Sequence, residues 1–420
     1  MNYEELLEFS IAFAARLQKC GAETYRVEET IIRIVEAYGV KKVDTFVIPG
    51  CIMASLETDD GRVFSKIRRI KDCDTILDGV EKYNALCRKI CYETPPLHEA
   101  KHMLNTATAD VRHYNTLVYH LASFVTAAGF AIFFGGTLSD AICSGVCGLA
   151  TGLCLKFMSA FHANPFFKTV VAGFILGTIS HALAALELCM NADMVSIGAI
   201  MLLVPGFLFT NSMRDIIYGD TMSGVNRLVQ VLIIAAAIVV GTGAAVSFSI
   251  RLFGEVNGSI LVVQHSLFIE CIAGMIGTFG FGLIMNIHGA GMLLCILGGA
   301  ISWLVYRICS FFGFNDPTCF FIASAAASIY AEIMARVRKY PTISYLMASL
   351  VPLIPGAGIY YTMSFVAHGD VAQFWSRGTS TAAAAGALAV GVLLVSTVYR
   401  MWGVWIKRRK ERAELKQTAK

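Results

Sequence analysis

Residues 202–213 read LLVPGFLFTNSM, and residues 352–363 read PLIPGAGIYYTM. Each places a Pro-Gly pair, Pro205 with Gly206 and Pro355 with Gly356, inside an apolar run, and the two runs lie about 150 residues apart. The same offset separates GFAIFFGG, from Gly129, and GFGLIMNI, from Gly280. A constant shift between unlike stretches marks a duplicated unit. A proline removes a backbone donor and frees a carbonyl, so both runs are predicted to be helices broken or kinked near mid-membrane. Irregular backbone at that depth must face protein or a watery cavity.

The surroundings of these runs are apolar throughout. With 420 residues, 56% hydrophobic and 15% charged, and a mean hydropathy of +0.63, the chain is too apolar for a soluble protein of its size. From Leu117 onward, runs near the length of a bilayer core alternate with short loops. The first half offers Leu117–Phe134, Ser139–Phe161, Phe167–Leu188, Met194–Ile217 and Leu228–Phe253. The second offers Leu261–Ile284, Ala290–Phe311, Thr318–Ala335, Ile343–Val366 and Thr379–Trp402.

Residues 1 to about 105 differ, because charges recur and no apolar run reaches spanning length. The acidic opening MNYEELLEFS argues against a signal peptide. Helical stripes end near Gly39; VDTFVIPG, CIMASLET and VFSKIRRI then read as strands, with Asp60-Gly61 as a hairpin turn. A further helix from Thr75 to about Cys91 stops before Pro95 and Pro96, and a connecting helix leads into the membrane.

The expected fold class is a mainly α membrane protein, with about ten transmembrane helices in two inverted five-span repeats and a small α+β cytosolic N-terminal domain. The expected boundaries are 1–105 for that domain, 106–255 and 256–405 for the membrane units, and 406–420 for a basic tail. An odd number of spans per unit makes the second copy start from the opposite face, an architecture suited to alternating access. The tail KRRKER and loop residues such as Lys168, Arg336, Arg338 and Lys339 place both termini on the cytoplasmic side of the plasma membrane; Arg251, Arg307 and Arg377 run against that trend.

Candidate functional residues follow from depth and charge. The half-helix ends at Pro205, Gly206, Pro355 and Gly356 can hold a carboxylate at N-terminal amides and a cation at freed carbonyls, here near Val204 and Ile354. Glu270, near the middle of its apolar run, is the first candidate for proton coupling. His181 is divided between packing and proton relay, while Asp140, Glu187 and Glu332 lie nearer helix ends, where structural roles compete. Asn211, Arg214, Asp215, Asp220 and Arg227 form a cluster of both signs that reads as a gate or as ordinary topology-setting loop charge.

At these residues the chain resembles the threonine/serine exporter family. The resemblance rests on GAETYRVEETIIRIVEAYG, LLVPGFLFTNSMRDIIYGDTMSGVNRL and AEIMARVRKYPTISYLMASLVPLIPG, in that order. It covers almost the whole chain and looks like the fused form of a family that also has split pairs. It implies efflux of threonine and serine driven by the proton gradient, while the split relatives point to dicarboxylates. The family pattern falls on Pro205, Gly206, Asn211, Arg214, Asp215, Gly219, Gly224 and Arg227, and on Glu332, Arg336, Pro341, Pro355 and Gly356.

Other classes are disfavoured. No Gly-x-Ser-x-Gly elbow, HExxH pair or phosphate loop occurs, which argues against a membrane-anchored enzyme or an ATP-driven pump, while a ligand-sensing role for the N-terminal domain stays open as the alternative. The small net charge of +4 suits topology better than nucleic acid. Cys87 and Cys91 lack a second pair to complete a zinc site, so no metal and no cofactor is expected. The expected partners are a small-molecule substrate, protons and membrane lipid; oligomeric state, a homo-oligomer included, is left open.

Overall fold

The computed structural model describes residues 2–71, 73–254, 263–338, 340–367 and 369–418. It opens with α1 (Tyr3–Lys19) and α2 (Thr24–Ala37), then β1 (Lys42–Ile48), β2 (Cys51–Glu57) and β3 (Val63–Arg69), and then α3 (Leu77–Glu93) and α4 (Leu97–Asp110). Helix α1 starts where Asn2 accepts from the Glu5 amide, with Glu4 and Glu5 in its first turn and Arg16 and Lys19 in its last, each matching the helix dipole. Its face of Leu6, Phe9, Phe13 and Leu17 is buried. The strands form an antiparallel sheet in the order β1-β2-β3, and the turn into β3 uses Gly61 at φ 79°. The helices and strands follow the sequence pattern, and α4 is the expected connecting helix.

The remaining helices come in two matching series. The first is α5 (Thr116–Phe133), α6 (Leu138–Ala160), α7 (Pro165–Ala185), α8 (Ala192–Ile200), α9 (Gly206–Tyr218) and α10 (Thr221–Phe253). The second is α11 (Leu267–Ile284), α12 (Gly291–Phe311), α13 (Asp316–Arg338), α14 (Thr342–Leu350), α15 (Gly356–Ala367) and α16 (Val371–Thr418). Each element of the second starts 150 to 153 residues after its mate. Among the described residues, eight helices are long and apolar enough to cross a membrane, or nine if the bent pair Thr342–Leu353 with Gly356–Thr362 is one span. This is fewer than the ten expected. The difference lies in the broken segments: α8 and α9 have 9 and 13 residues, hence lengths of roughly 14 and 20 Å against a core of about 30 Å.

The halves meet reciprocally. Helix α5 packs on α11, α9 on α16, and α10 on α15. A Cβ at Gly129 would lie 2.7 Å from the Gly277 nitrogen and 3.1 Å from the Ala273 oxygen. One at Gly280, the mate of Gly129, would lie 2.8 Å from the Thr126 nitrogen and 2.9 Å from the Ala122 oxygen, and these residues are the mates of Gly277 and Ala273. The lead-in segments obey the same exchange. Tyr114 donates its hydroxyl to the Ile287 carbonyl at 3.0 Å, while its mate His265 places Nε2 2.9 Å from the carbonyl of Gly136, the mate of Ile287. Contacts of the type i to j′ and j to i′ are those of a two-fold interface.

Candidate functional site

Both predicted breaks are present, and they touch. In the first half a turn covers residues 201–203, Val204 and Pro205 are irregular, and α9 restarts at Gly206 with Pro205 as its N-cap. In the second half the helix tightens at Val351–Leu353 and restarts at Gly356, with a bend of 48°. Proline cannot donate within a helix, which explains why both restarts follow one. A Cβ added to Gly206 would run into the Ile354 side chain, and one added to Gly356 into the Met201 side chain, so the glycines let each break press on the other.

Between the breaks lies a cavity of about 170 Å³. Its walls include four pairs of repeat mates: Pro205 and Pro355, Phe209 and Ile359, Val231 and Thr381, Ala235 and Ala385. The pseudo-symmetry therefore passes through the cavity. The hydroxyls of Thr362 and Thr381 are its polar side chains, each donating to the carbonyl four residues earlier, at 2.7 Å, and each free to accept. The starts of α9 and α15 also face this region, although the amides of Phe209 and Ile359 donate to the Pro205 and Pro355 carbonyls, both at 3.0 Å. One expectation needs correction: the Ile354 carbonyl accepts from the Gly356 amide at 2.6 Å and so is not freed by the break.

The other candidates divide into those near this cavity and those elsewhere. Asn211 is half-buried on α9, and the side chain of Arg214 lies outside the described residues. Asp215 pairs with Arg227 at 3.1 Å and accepts from the Ser223 hydroxyl at 3.1 Å. Thr24 of α2 joins this cluster, 2.9 Å from Ser223, so the N-terminal region closes over the end of α9 and α10. Glu332 pairs with Arg336 one turn along α13 at 2.7 Å. His181 bonds the Gly177 carbonyl through Nδ1 at 2.8 Å, one turn back along α7. Asp140 caps α6 with Thr137 and accepts from the amides of Met190 and Asn191, a structural role.

Glu270 departs most from expectation. The helix begins only after Ser266, which accepts from the Ile269 amide, so Glu270 lies in the first turn of α11 rather than in mid-run. It is not alone either: Arg307 approaches at 3.3 Å and the Trp303 indole donates at 3.1 Å. Arg307, which ran against the charge bias, has this carboxylate as its partner. The Tyr360 hydroxyl, on α15, donates to Asp193 of α8 at 3.0 Å, a link between halves that sequence reading missed. Only the repeat register, which aligns α8–α9 with α14–α15, hinted at it. Among the described residues no three His, Cys, Asp or Glu side chains converge as a metal site would require.

Apolar helices built twice over, with broken segments meeting at the centre, define a multi-pass membrane protein of the transporter class. A family model described as "Putative threonine/serine exporter" matches residues 8–249, and one described as "Threonine/Serine exporter, ThrE" matches residues 270–398. The chain belongs to the threonine/serine exporter family. It is similar to the "Threonine/serine exporter" of Corynebacterium glutamicum, 22% identical over 347 residues, covering 81% of this chain and 69% of that protein. It is also similar to the "Probable threonine/serine exporter" of Mycobacterium tuberculosis, 21% identical over 412 residues, covering 94% of this chain and 76% of that protein. No solved structure matches the chain.

Proposed function

We propose that this protein exports threonine and serine across the plasma membrane as a secondary transporter, with its two halves as inverted repeats and both termini cytoplasmic. The observation that carries this reading is the meeting of Pro205–Gly206 and Pro355–Gly356 around one small, pseudo-symmetric cavity. At about 170 Å³ the cavity is below the roughly 300 Å³ at which drug-sized pockets begin, and it suits a solute of a few heavy atoms. Helix N-terminal amides meet the carboxylate and threonine hydroxyls offer acceptors for the ammonium. The lining contains no Lys or Arg. A dicarboxylate, which needs two cationic poles, is disfavoured on that ground.

Alternating access follows from the reciprocal seam: exchanging the conformations of the halves exchanges the open side. Proton coupling is assigned to Glu270, which pairs with Arg307 at 3.3 Å. Cells loaded with threonine-containing dipeptides are expected to export threonine faster when the protein is made, with serine competing. Succinate efflux without threonine efflux would overturn the substrate. Proteoliposomes with and without an imposed pH gradient test the coupling, and a rate indifferent to the gradient would remove it.

A further inference from the structure

We propose that a second cleft, between α3 and the starts of α12 and α14, binds a small zwitterionic amino acid, at a site separate from the cavity between the broken helices. The cleft has a volume of about 310 Å³ and a wall carrying both signs of charge. This goes beyond the transport reading, because occupancy there is a matter of binding alone.

Two helices begin at this cleft. Ala290 and Gly291 open α12, and Ser344 lies in the first turn of α14; all three line it. Neither N-cap, Ala290 or Pro341, carries a side chain that bonds the first-turn amides. Such amides and the helix dipole favour a carboxylate. The independent sign of a missing ligand is Ser344: it is 7% exposed, and its hydroxyl has no hydrogen-bond partner. A buried hydroxyl left unpaired is costly, and a carboxylate oxygen would satisfy it. Arg338, held over the Tyr340 ring at 5.0 Å, adds a guanidinium to the same wall.

The opposite pole lies on α3. Asp78 is already engaged, by Lys82 at 3.0 Å and by the Arg112 amide at 2.8 Å. Glu81 is the second carboxylate on this wall, with Tyr340 and Arg338 beside it. Burial pushes its pKa above the usual range, outweighing Tyr340 and Arg338, which act the other way. An incoming ammonium would stabilise the charged form there. An amine alone would leave the Ser344 hydroxyl without a partner.

The test uses the purified full chain and labelled threonine in equilibrium dialysis, with propionate and threoninol as single-charge competitors. Two classes of site are expected in the native protein. Changing Arg338→Gln with Ser344→Ala should weaken one class by about tenfold or more and leave the other. Unchanged binding in that variant would overturn the proposal, as would propionate or threoninol displacing threonine from that class as well as threonine itself. Should the variant fail to fold, hydrogen exchange on the native chain decides: threonine is expected to slow residues 288–292 and 342–346, and no slowing there overturns the site.

Discussion

Asn286 holds a left-handed backbone at φ 61°, as does its repeat mate Gly135 at φ 103°. Both end a helix, a position where glycine costs nothing and asparagine is the best tolerated alternative. The asparagine adds what glycine cannot: its Oδ1 accepts from the Tyr114 amide at 3.0 Å and its Nδ2 donates to the Arg112 carbonyl. Asn286→Gly should therefore lose only these bonds, about 1–3 kcal/mol, while Asn286→Ala should lose them and also pay about 1–2 kcal/mol for a left-handed residue. Thermal unfolding midpoints in detergent would rank native above Gly above Ala; the reverse order of the two variants refutes the account. Asp215 and Arg227, 5% and 14% exposed, form a buried pair whose single disruption costs about 3–5 kcal/mol. Asp215→Asn should abolish export by protein that still reaches the membrane, and quantifying membrane-located protein beside efflux checks this. For Glu270→Gln, weaker transport or a flattened pH response is expected in proteoliposomes; native flux with a native pH response would leave the Arg307 pair as architecture alone.

At the scale of elements, the two breaks and the α5–α11 seam carry separate predictions. Pro205→Ala and Pro355→Ala restore the missing backbone donor and should slow export even where the protein accumulates normally, as a flux assay normalised to protein amount would show. Gly129→Val should destabilise by about 1–3 kcal/mol through overpacking, because its new side chain meets the α11 backbone. Gly386, on α16 with nothing within 4 Å of an added Cβ, should by contrast gain about 0.5–1 kcal/mol as alanine. Much of this layer was legible in the sequence, since apolar length, Pro-Gly pairs and the constant offset are local or self-referential signals. Helix starts were less so: the span read as Leu261–Ile284 passes over the polar Gln264-His265-Ser266, whose serine caps α11. The partners of Glu270, Thr24 and Tyr360 were not legible at all, because they join residues 33, 199 and 167 positions apart in the chain.

For the whole molecule, the N-terminal region is gripped by both halves rather than by its neighbour in sequence. It meets α10 through Thr24 and the loop after α11 through the Leu77 amide, which donates to the Met285 carbonyl at 3.1 Å. The Tyr114 ring stacks on His288 at 4.1 Å beside it. Opening of this grip should be one event, so Asn286→Ala is expected to speed hydrogen exchange at residues 112–114 and 286–288 together. Residues 135–136 and 263–265, the mated grip, should keep native rates; a change spread equally over both grips would contradict the assignment. The Gly135 and Asn286 pair also has a meaning for ancestry. After a gene doubles, each copy inherits every constraint of the original, and specialisation starts where one copy can drop a duty the other keeps. In the first copy the loop past the helix stop spends its polar chemistry on Asp140, which ties α6 to residues 190 and 191. The second copy has Gly291 at the corresponding place and turns the same loop outward to hold the N-terminal region. The two halves thus differ in what this corner does while staying coupled along the glycine seam, where a Cβ added in either half lands on the backbone of the other.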